Sequence, residues 1–356
     1  MGPEKITGLY HFYRDVSHIE PVHTGHINDT YRIYLEGRGY PEYILQRLNG
    51  NVFKNIPEIL ENISTVDHFI RNRGKVGFTW PGLVKTNTGE GFTIDKEGNY
   101  WRCYEHIRGT KTYENPADLS MAGEAGRIIG SFHFALHELP ADLHETIPNF
   151  HDFPFRWGQF KEGLGLNFEN RAEGAKELIG FAREQNGPME SYFGSFEQLR
   201  VPKRTVHYDT KFNNILFDNE NKAVSLIDLD TLMKGYIQFD YGDALRTLAS
   251  TAAEDEEDPR KAGFDTDRFE AFTRSYFKCV GGFLTRNEIA LFIDAPAYLT
   301  FIIGLRFLTD YLNGDEYFKV SRKGHNLIRA RNQFRLVEHL IEKRDFIKKV
   351  IYDSVP

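Results

Sequence analysis

Cysteine is almost missing from this chain: Cys103 and Cys279 are the two among 356 residues. Each lies in an apolar-flanked segment, with no second cysteine or histidine at metal-ligand spacing, so buried thiols in a reducing compartment are expected. No run approaches the roughly 20 apolar residues of a bilayer-spanning helix, and the opening Met1-Gly-Pro-Glu-Lys5 lacks an apolar signal segment. An excess of positive charge is absent too. The formal net charge is -7 and the basic residues are scattered, which leaves no electrostatic footprint for nucleic acid or an anionic membrane surface. Internal repeats are lacking. A cytoplasmic protein acting on neither nucleic acid nor membrane is the expectation.

What is present is an ordinary globular composition, 40% hydrophobic and 27% charged, on a chain long enough for two lobes. Through residue 109 the pattern is strand-like. Tyr31-Arg-Ile-Tyr-Leu35, Tyr43-Ile-Leu-Gln-Arg47, Phe92-Thr-Ile-Asp95 and Asn99-Tyr-Trp-Arg-Cys-Tyr-Glu105 carry aromatic and β-branched residues between turn signals. The last two are joined by a hairpin turn at 95–99. One helix interrupts them, with Ile59, Leu60, Ile63, Val66 and Ile70 at helical spacing. After the polar connector at 108–116 the pattern becomes helical: first 117–139, then 174–186, 266–282, 286–312 and 325–349, with short strands around 213–229. These features divide the chain into a sheet-based lobe at 1–109 and a larger, mainly helical lobe at 110–356. The acidic run at 254–258 reads as a solvated loop, with a cation or cationic substrate as its other use.

The segment with chemical content is Val206-His-Tyr-Asp-Thr-Lys-Phe-Asn-Asn-Ile-Leu-Phe-Asp218, followed by Ala223-Val-Ser-Leu-Ile-Asp-Leu-Asp230. Polar residues bracketed by apolar strands are well placed to be held rigidly. The spacing matches a phosphoryl-transfer loop: His-x-Asp, an Asn five residues later, and another Asp after the next strand. Asp209 is then the base that accepts the proton of an acceptor hydroxyl. Asn214 and Asp228 are hard oxygen donors for Mg2+ carried by ATP. Lys211 would screen charge on the transferring phosphoryl group, and His207 would brace the loop. Turn-forming Asp and Asn residues are common between strands, but three in register favour chemistry.

Upstream, the polar turn Pro21-Val-His-Thr-Gly-His-Ile-Asn-Asp-Thr-Tyr31 lies where a phosphate-covering loop belongs. Gly25, His26, Asn28 and Thr30 are its candidate nucleotide contacts. The usual strand lysine that positions phosphates is replaced in Tyr43-Ile-Leu-Gln-Arg47 by Gln46 or Arg47. Arg47 is the candidate to reach phosphate, or a glutamate such as Glu58 or Glu61.

The catalytic loop, Ala122-Gly-Glu-Ala-Gly-Arg-Ile-Ile-Gly-Ser-Phe-His133 and Phe239-Asp-Tyr-Gly-Asp-Ala-Leu-Arg246 resemble the aminoglycoside phosphotransferase and choline kinase group, over most of the chain. That resemblance implies an α+β, bilobal, protein-kinase-like fold: a small, mainly antiparallel-sheet N-lobe and a larger, mainly helical C-lobe. Within the group, Gly25 to Tyr31, Tyr43 to Lys54, Arg306 to Lys319 and His325 to Arg331 resemble the N-acetylhexosamine 1-kinases. This further likeness implies ATP and an N-acetylhexosamine as partners, with phosphate transferred to the anomeric hydroxyl of N-acetylglucosamine or N-acetylgalactosamine. It implies that Asp209 contacts the sugar hydroxyl, that Arg306 and Tyr317 hold the sugar, and that Glu105 and Ile107 lie in a hinge whose backbone meets adenine. Two other readings stand beside it: a kinase of an amine alcohol or aminoglycoside, and an inactive nucleotide- or sugar-binding module.

Overall fold

The computed structural model describes residues 2–22, 27–74 and 76–356, and the chain forms two lobes. The first contains helix α1 (Pro3–Thr7), strands β1 (Val16–Val22), β2 (Asp29–Leu35) and β3 (Pro41–Arg47), helix α2 (Ile56–Arg73), and strands β4 (Phe92–Ile94) and β5 (Tyr100–Glu105). The strands make an antiparallel sheet in the order β1-β2-β3-β5-β4. The expected hairpin at 95–99 is closed by the Asp95 carboxylate, which accepts from the N–H groups of Glu97 and Asn99.

Alternation along the strands decides what each face of this sheet carries. Ile33, Leu35, Leu45, Trp101 and Cys103 bury against Ile6, Tyr10 and Val84 on the outer face. The intervening residues of β3 and β5 (Ile44, Gln46, Arg102 and Tyr104) face α2 and the second lobe. Ile44 and Tyr104 join the main core there, and α2 buries Ile59, Leu60, Ile63, Val66 and Ile70 as its spacing requires.

The second lobe begins with α3 (Leu119–Leu136), α4 (Phe153–Leu166) and α5 (Lys176–Gln198). Four short strands follow: β6 (Arg204–Val206), β7 (Ile215–Phe217), β8 (Ala223–Leu226) and β9 (Met233–Gly235). They form two antiparallel pairs, β6 with β9 and β7 with β8. The chain ends in α6 (Ile237–Leu248), α7 (Thr266–Val280), α8 (Arg286–Leu291), α9 (Ala295–Asn313), α10 (His325–Glu342) and α11 (Arg344–Ser354). This is the bilobal, protein-kinase-like α+β architecture that the family resemblance implied. No helix among the described residues is long and apolar enough to cross a membrane.

Some boundaries differ from the expected ones. The periodic stretch at 286–312 is two helices, because the chain breaks at 292–294 and α9 restarts with Pro296 in its first turn. Likewise 325–349 divides at Lys343. Helix α4 was not expected at all. Asp152 caps it by accepting from the Phe155 N–H, while Gly158, Gly163 and Gly165 dilute its apolar pattern.

Helix α3 approaches α7 closely through three glycines on one face. A Cβ at Gly126 would stand 2.1 Å from the Phe272 carbonyl oxygen, and one at Gly130 would stand 2.9 Å from that of Tyr276. Neither contact is tolerable, and both obstacles are backbone. Gly126→Ala should therefore force the helices apart and destabilise the fold by about 1–3 kcal/mol, read as a lower urea midpoint with an unchanged slope.

Candidate active site

The loop between β6 and β7 is held from beneath by a buried carboxylate. The backbone N–H groups of His207 and Tyr208 donate to the two oxygens of Asp240, on α6, at 2.7 Å each. His133 of α3 lies 2.9 Å from the same carboxylate through Nε2, and its Nδ1 is 2.9 Å from the Tyr276 hydroxyl of α7. The Thr210 hydroxyl donates to the Asp240 carbonyl oxygen at 2.6 Å. These bonds offset the cost of a left-handed Tyr208, at φ 63°. His207 braces a second strand exit, its Nε2 lying 3.0 Å from the carbonyl oxygen of Ile227, directly before Asp228.

Above this anchor, the Lys211 ammonium donates to Asp209 Oδ2 at 2.9 Å. The Asn214 amide donates to the same oxygen at 2.9 Å and to the Asp209 carbonyl oxygen at 2.8 Å. Burial alone would raise the Asp209 pKa, but the Lys211 charge and these bonds hold it below the usual carboxylate range. Asp209 is thus ionised and fixed in direction. Asp228, at φ 66°, is pushed up to about 7 by burial and by the negative charges of Asp230 and Asp209, against Lys211 and Arg102.

The donor set fits magnesium. Asn214 spends its N–H groups on Asp209, which leaves its amide oxygen free to be a ligand, and Asp228 is a half-buried carboxylate crowded by Asp230 and Asp209. Among the described residues no three His, Cys, Asp or Glu side chains cluster as a metal site. An ion held by one Asn and one Asp would need further oxygens, which nucleotide phosphates would be suited to supply.

On the nucleotide side, Gly25 and His26 lie outside the described residues. The Asn28 amide donates to Asp230 Oδ2 at 2.6 Å, and its oxygen accepts from the Asn49 N–H at 3.1 Å. The Thr30 hydroxyl accepts from the Gln46 amide at 3.2 Å. Glu105 ends β5, its N–H on the Gly82 carbonyl oxygen and its carboxylate 3.5 Å from Arg71. The Ile107 carbonyl oxygen accepts from Thr110 at 2.7 Å, in the segment that leaves the sheet for the second lobe.

Arg47 does not occupy the place expected of it. It shares the outer face with Leu45, stacks over Trp101 and pairs with Asp29, so strand alternation points it away from Asp228 and from α2. Glu61 meets His144 at 2.8 Å instead. Asn62 of α2 also ties into the second lobe, donating to the carbonyl oxygens of His144 and Leu232 at 2.9 Å each. Motif spacing did not single out Arg102, Asp230 or Asp240, yet Asp240 stood within a quoted stretch and Arg102 within a recognised strand.

Of the residues expected to hold the acceptor, Arg306 of α9 sits 5.2–5.7 Å from the rings of Phe150, Phe318 and Tyr317. Phe150 packs edge-on against Tyr208 at 5.7 Å, which links this wall to the catalytic loop. Asp310 accepts from the N–H groups of Tyr317 and Phe318 at 2.7 and 2.9 Å and from the Asn326 amide at 2.8 Å, so it shapes the loop that presents Tyr317. Arg156 stands near enough to Arg306 that burial and the neighbouring charge bring it down to about 9. Asp243 pairs with Arg246 at 3.0 Å and keeps one buried oxygen without a hydrogen-bond partner. The acidic run is internally matched: Glu254 to Arg246, Asp255 to His325 and Arg322, Glu256 to Lys261, Glu257 to Arg322 and Asp258 to Arg260.

A family model described as the phosphotransferase enzyme family matches residues 18–272, more than half of the chain. The chain belongs to this family. It is a small-molecule, ATP-dependent kinase with the aminoglycoside phosphotransferase and choline kinase-like fold. Among solved structures, a microcompartment-associated aminopropanol kinase superposes with a TM-score of 0.67 at 17% identity, over 96% of this chain and 97% of its own. A choline kinase from Cryptosporidium parvum Iowa II gives 0.59 at 15%, over 94% and 91%. A spectinomycin phosphotransferase complexed with ADP and spectinomycin gives 0.56 at 11%, over 96% and 97%.

Asp240→Ala would leave two loop N–H groups without their acceptor in a buried site. A loss of about 3–5 kcal/mol is expected, measured by urea unfolding, together with loss of turnover in whatever protein remains folded.

Proposed function

We propose that the chain transfers the γ-phosphoryl group of ATP to a hydroxyl of a neutral, hydroxyl-rich acceptor, with the anomeric hydroxyl of an N-acetylhexosamine as the acceptor of choice. Asp209 accepts a hydrogen bond from that hydroxyl and aims its oxygen at phosphorus. As the new O–P bond forms, the bond to the ADP oxygen breaks, and the proton passes late to Asp209. Lys211 keeps Asp209 ionised and faces the charge on the transferring group. Asn214 and Asp228 would hold Mg2+, which neutralises phosphate charge.

The observation that carries the acceptor class is the charge of its wall. Burial holds both Arg156 and Arg306 below the usual arginine value, with the charge of Arg306 adding to it at Arg156 and that of Arg246 at Arg306. A cationic amine brought beside them would be repelled, whereas hydroxyl and N-acetyl carbonyl oxygens are acceptors for guanidinium N–H groups. The exposed ring of Tyr317 offers an apolar face to a sugar. The acidic run that could have received a cation is already paired with basic side chains of this chain.

A second reading, an amine alcohol as acceptor, is favoured by the unpartnered oxygen of Asp243, close enough to Asp209 for each to feel the other's charge. The printed names of the aminopropanol and choline kinases, which share the fold, point the same way. A panel of N-acetylglucosamine, N-acetylgalactosamine, aminopropanol, ethanolamine and choline with Mg-ATP separates the two, with phosphorus NMR of the product. The expected product is a phosphomonoester at the anomeric carbon. Turnover confined to the amines would replace the sugar reading with the second one.

Two substitutions sharpen the roles. Asp209→Asn should lower kcat by about 10²–10⁴-fold while calorimetry finds ATP binding little changed, and full turnover would remove Asp209 from its role. Arg306→Ala should raise the acceptor KM by about tenfold or more with the ATP KM unaltered. Equal changes in both would mean a general disturbance of the lobe.

A further inference from the structure

The cleft face of the sheet has no lysine at the β3 position from which kinase folds reach the nucleotide phosphates. Gln46 stands there, uncharged. Directly opposite it in the β3–β5 register is Arg102, 1% exposed. Its Nε and Nη2 donate to Gln46 Oε1 at 3.0 and 2.9 Å. Its Nη1 is ion-paired with Asp230, two residues beyond Asp228, and its guanidinium lies 5.0 Å from the Tyr104 ring. The other oxygen of Asp230 accepts from Asn28 at the base of the covering turn. Arg102 thus stands where the covering turn, the sheet and the metal-side carboxylates converge. The other arginine on this face of β2, β3 and β5 is Arg32, half-exposed and 3.6 Å from Glu20.

An arginine this deeply buried is costly, and an apolar pair of similar volume would often serve stability as well. Its donor geometry supplies a reason to keep it. Of five guanidinium N–H groups, Gln46 takes two along one edge, while Nη1 faces Asp230 as a charge and has no hydrogen-bond partner among the described residues. Two hydrogens remain on the outer Nη1–Nη2 edge, the fork that matches two oxygens of one phosphate.

We infer that Arg102 is the phosphate-positioning cation of this enzyme, a role moved from β3 to β5 and held in aim by Gln46. The inference rests on the ATP-kinase reading and is independent of which acceptor is used. Gln46 is then a support for the cation, and Asp230 is its counter-ion from the second lobe.

Calorimetry on the full chain with magnesium present, titrating ATP and, separately, adenosine, tests this without any acceptor. The wild type should bind ATP far more tightly than adenosine; failure of that alone would sink the nucleotide reading itself. Arg102→Gln should lose about 30-fold in ATP affinity and nothing for adenosine. Gln46→Lys in the Arg102→Gln background returns a cation to the facing strand and should restore most of the loss. Equal weakening of ATP and adenosine would reduce Arg102 to a strap between lobes, and unchanged ATP affinity would overturn the proposal outright. Should Arg102→Gln alone fail to fold, the double variant decides: a retained preference for ATP over adenosine supports the inference, and its loss overturns it.

Discussion

The active-site loop depends on one carboxylate that does not face the substrate. Asp240 gathers the N–H groups of His207 and Tyr208 and the imidazole of His133 at 2.7–2.9 Å, with no exposure to solvent. A buried anion is tolerable only when its lone pairs are spent, and here they are spent on the backbone that carries Asp209. The requirement extends outward. The other ring nitrogen of His133 meets the Tyr276 hydroxyl of α7, and α3 runs this close to α7 because Gly126 and Gly130 omit the side chains that would hold the helices apart. Core packing and catalytic geometry are the same constraint seen at two distances.

The two sides of the cleft differ in how they treat charge. On the side where the nucleotide is proposed to bind, Asp209, Asp228 and Asp230 stand with Lys211 and Arg102, and burial and the two neighbouring carboxylates push Asp228 upward. On the side proposed for the acceptor, Arg306 and Arg156 are set among aromatic rings. Asp209 lies between these regions and keeps its charge through Lys211. A group that must be ionised to orient a hydroxyl is thereby shielded from the anions next to it.

The candidate loop could be picked out in the sequence because its spacing is local: Asp209, Lys211, Asn214 and Asp228 fall within 20 residues, and short strands bring them to one place. The lobe architecture was legible for a similar reason, since α2, α3 and the sheet strands carry strong periodicity. What escaped depends on contacts between distant segments. Arg102 becomes notable only once β5 lies beside β3 and places it opposite Gln46. The orientation of Arg47 was nonetheless available from alternation, because Leu45 is apolar and shares its face. Helix α4 was hidden by its own glycines, which weaken the period that identifies a helix, and the break before α9 was masked by apolar residues that continue across it.

The loop after α9 separates two duties that proteins often combine. Asp310 and Asn326 fix its backbone from inside, through the N–H groups of Tyr317 and Phe318, while the Tyr317 side chain remains outside and contributes nothing to that bonding. Residue 317 can therefore be exchanged over evolutionary time at little cost to the fold. With that ring at the acceptor as proposed above, a lineage would retune which molecule it phosphorylates by drifting at one surface position, the loop around Asp209 being inherited intact.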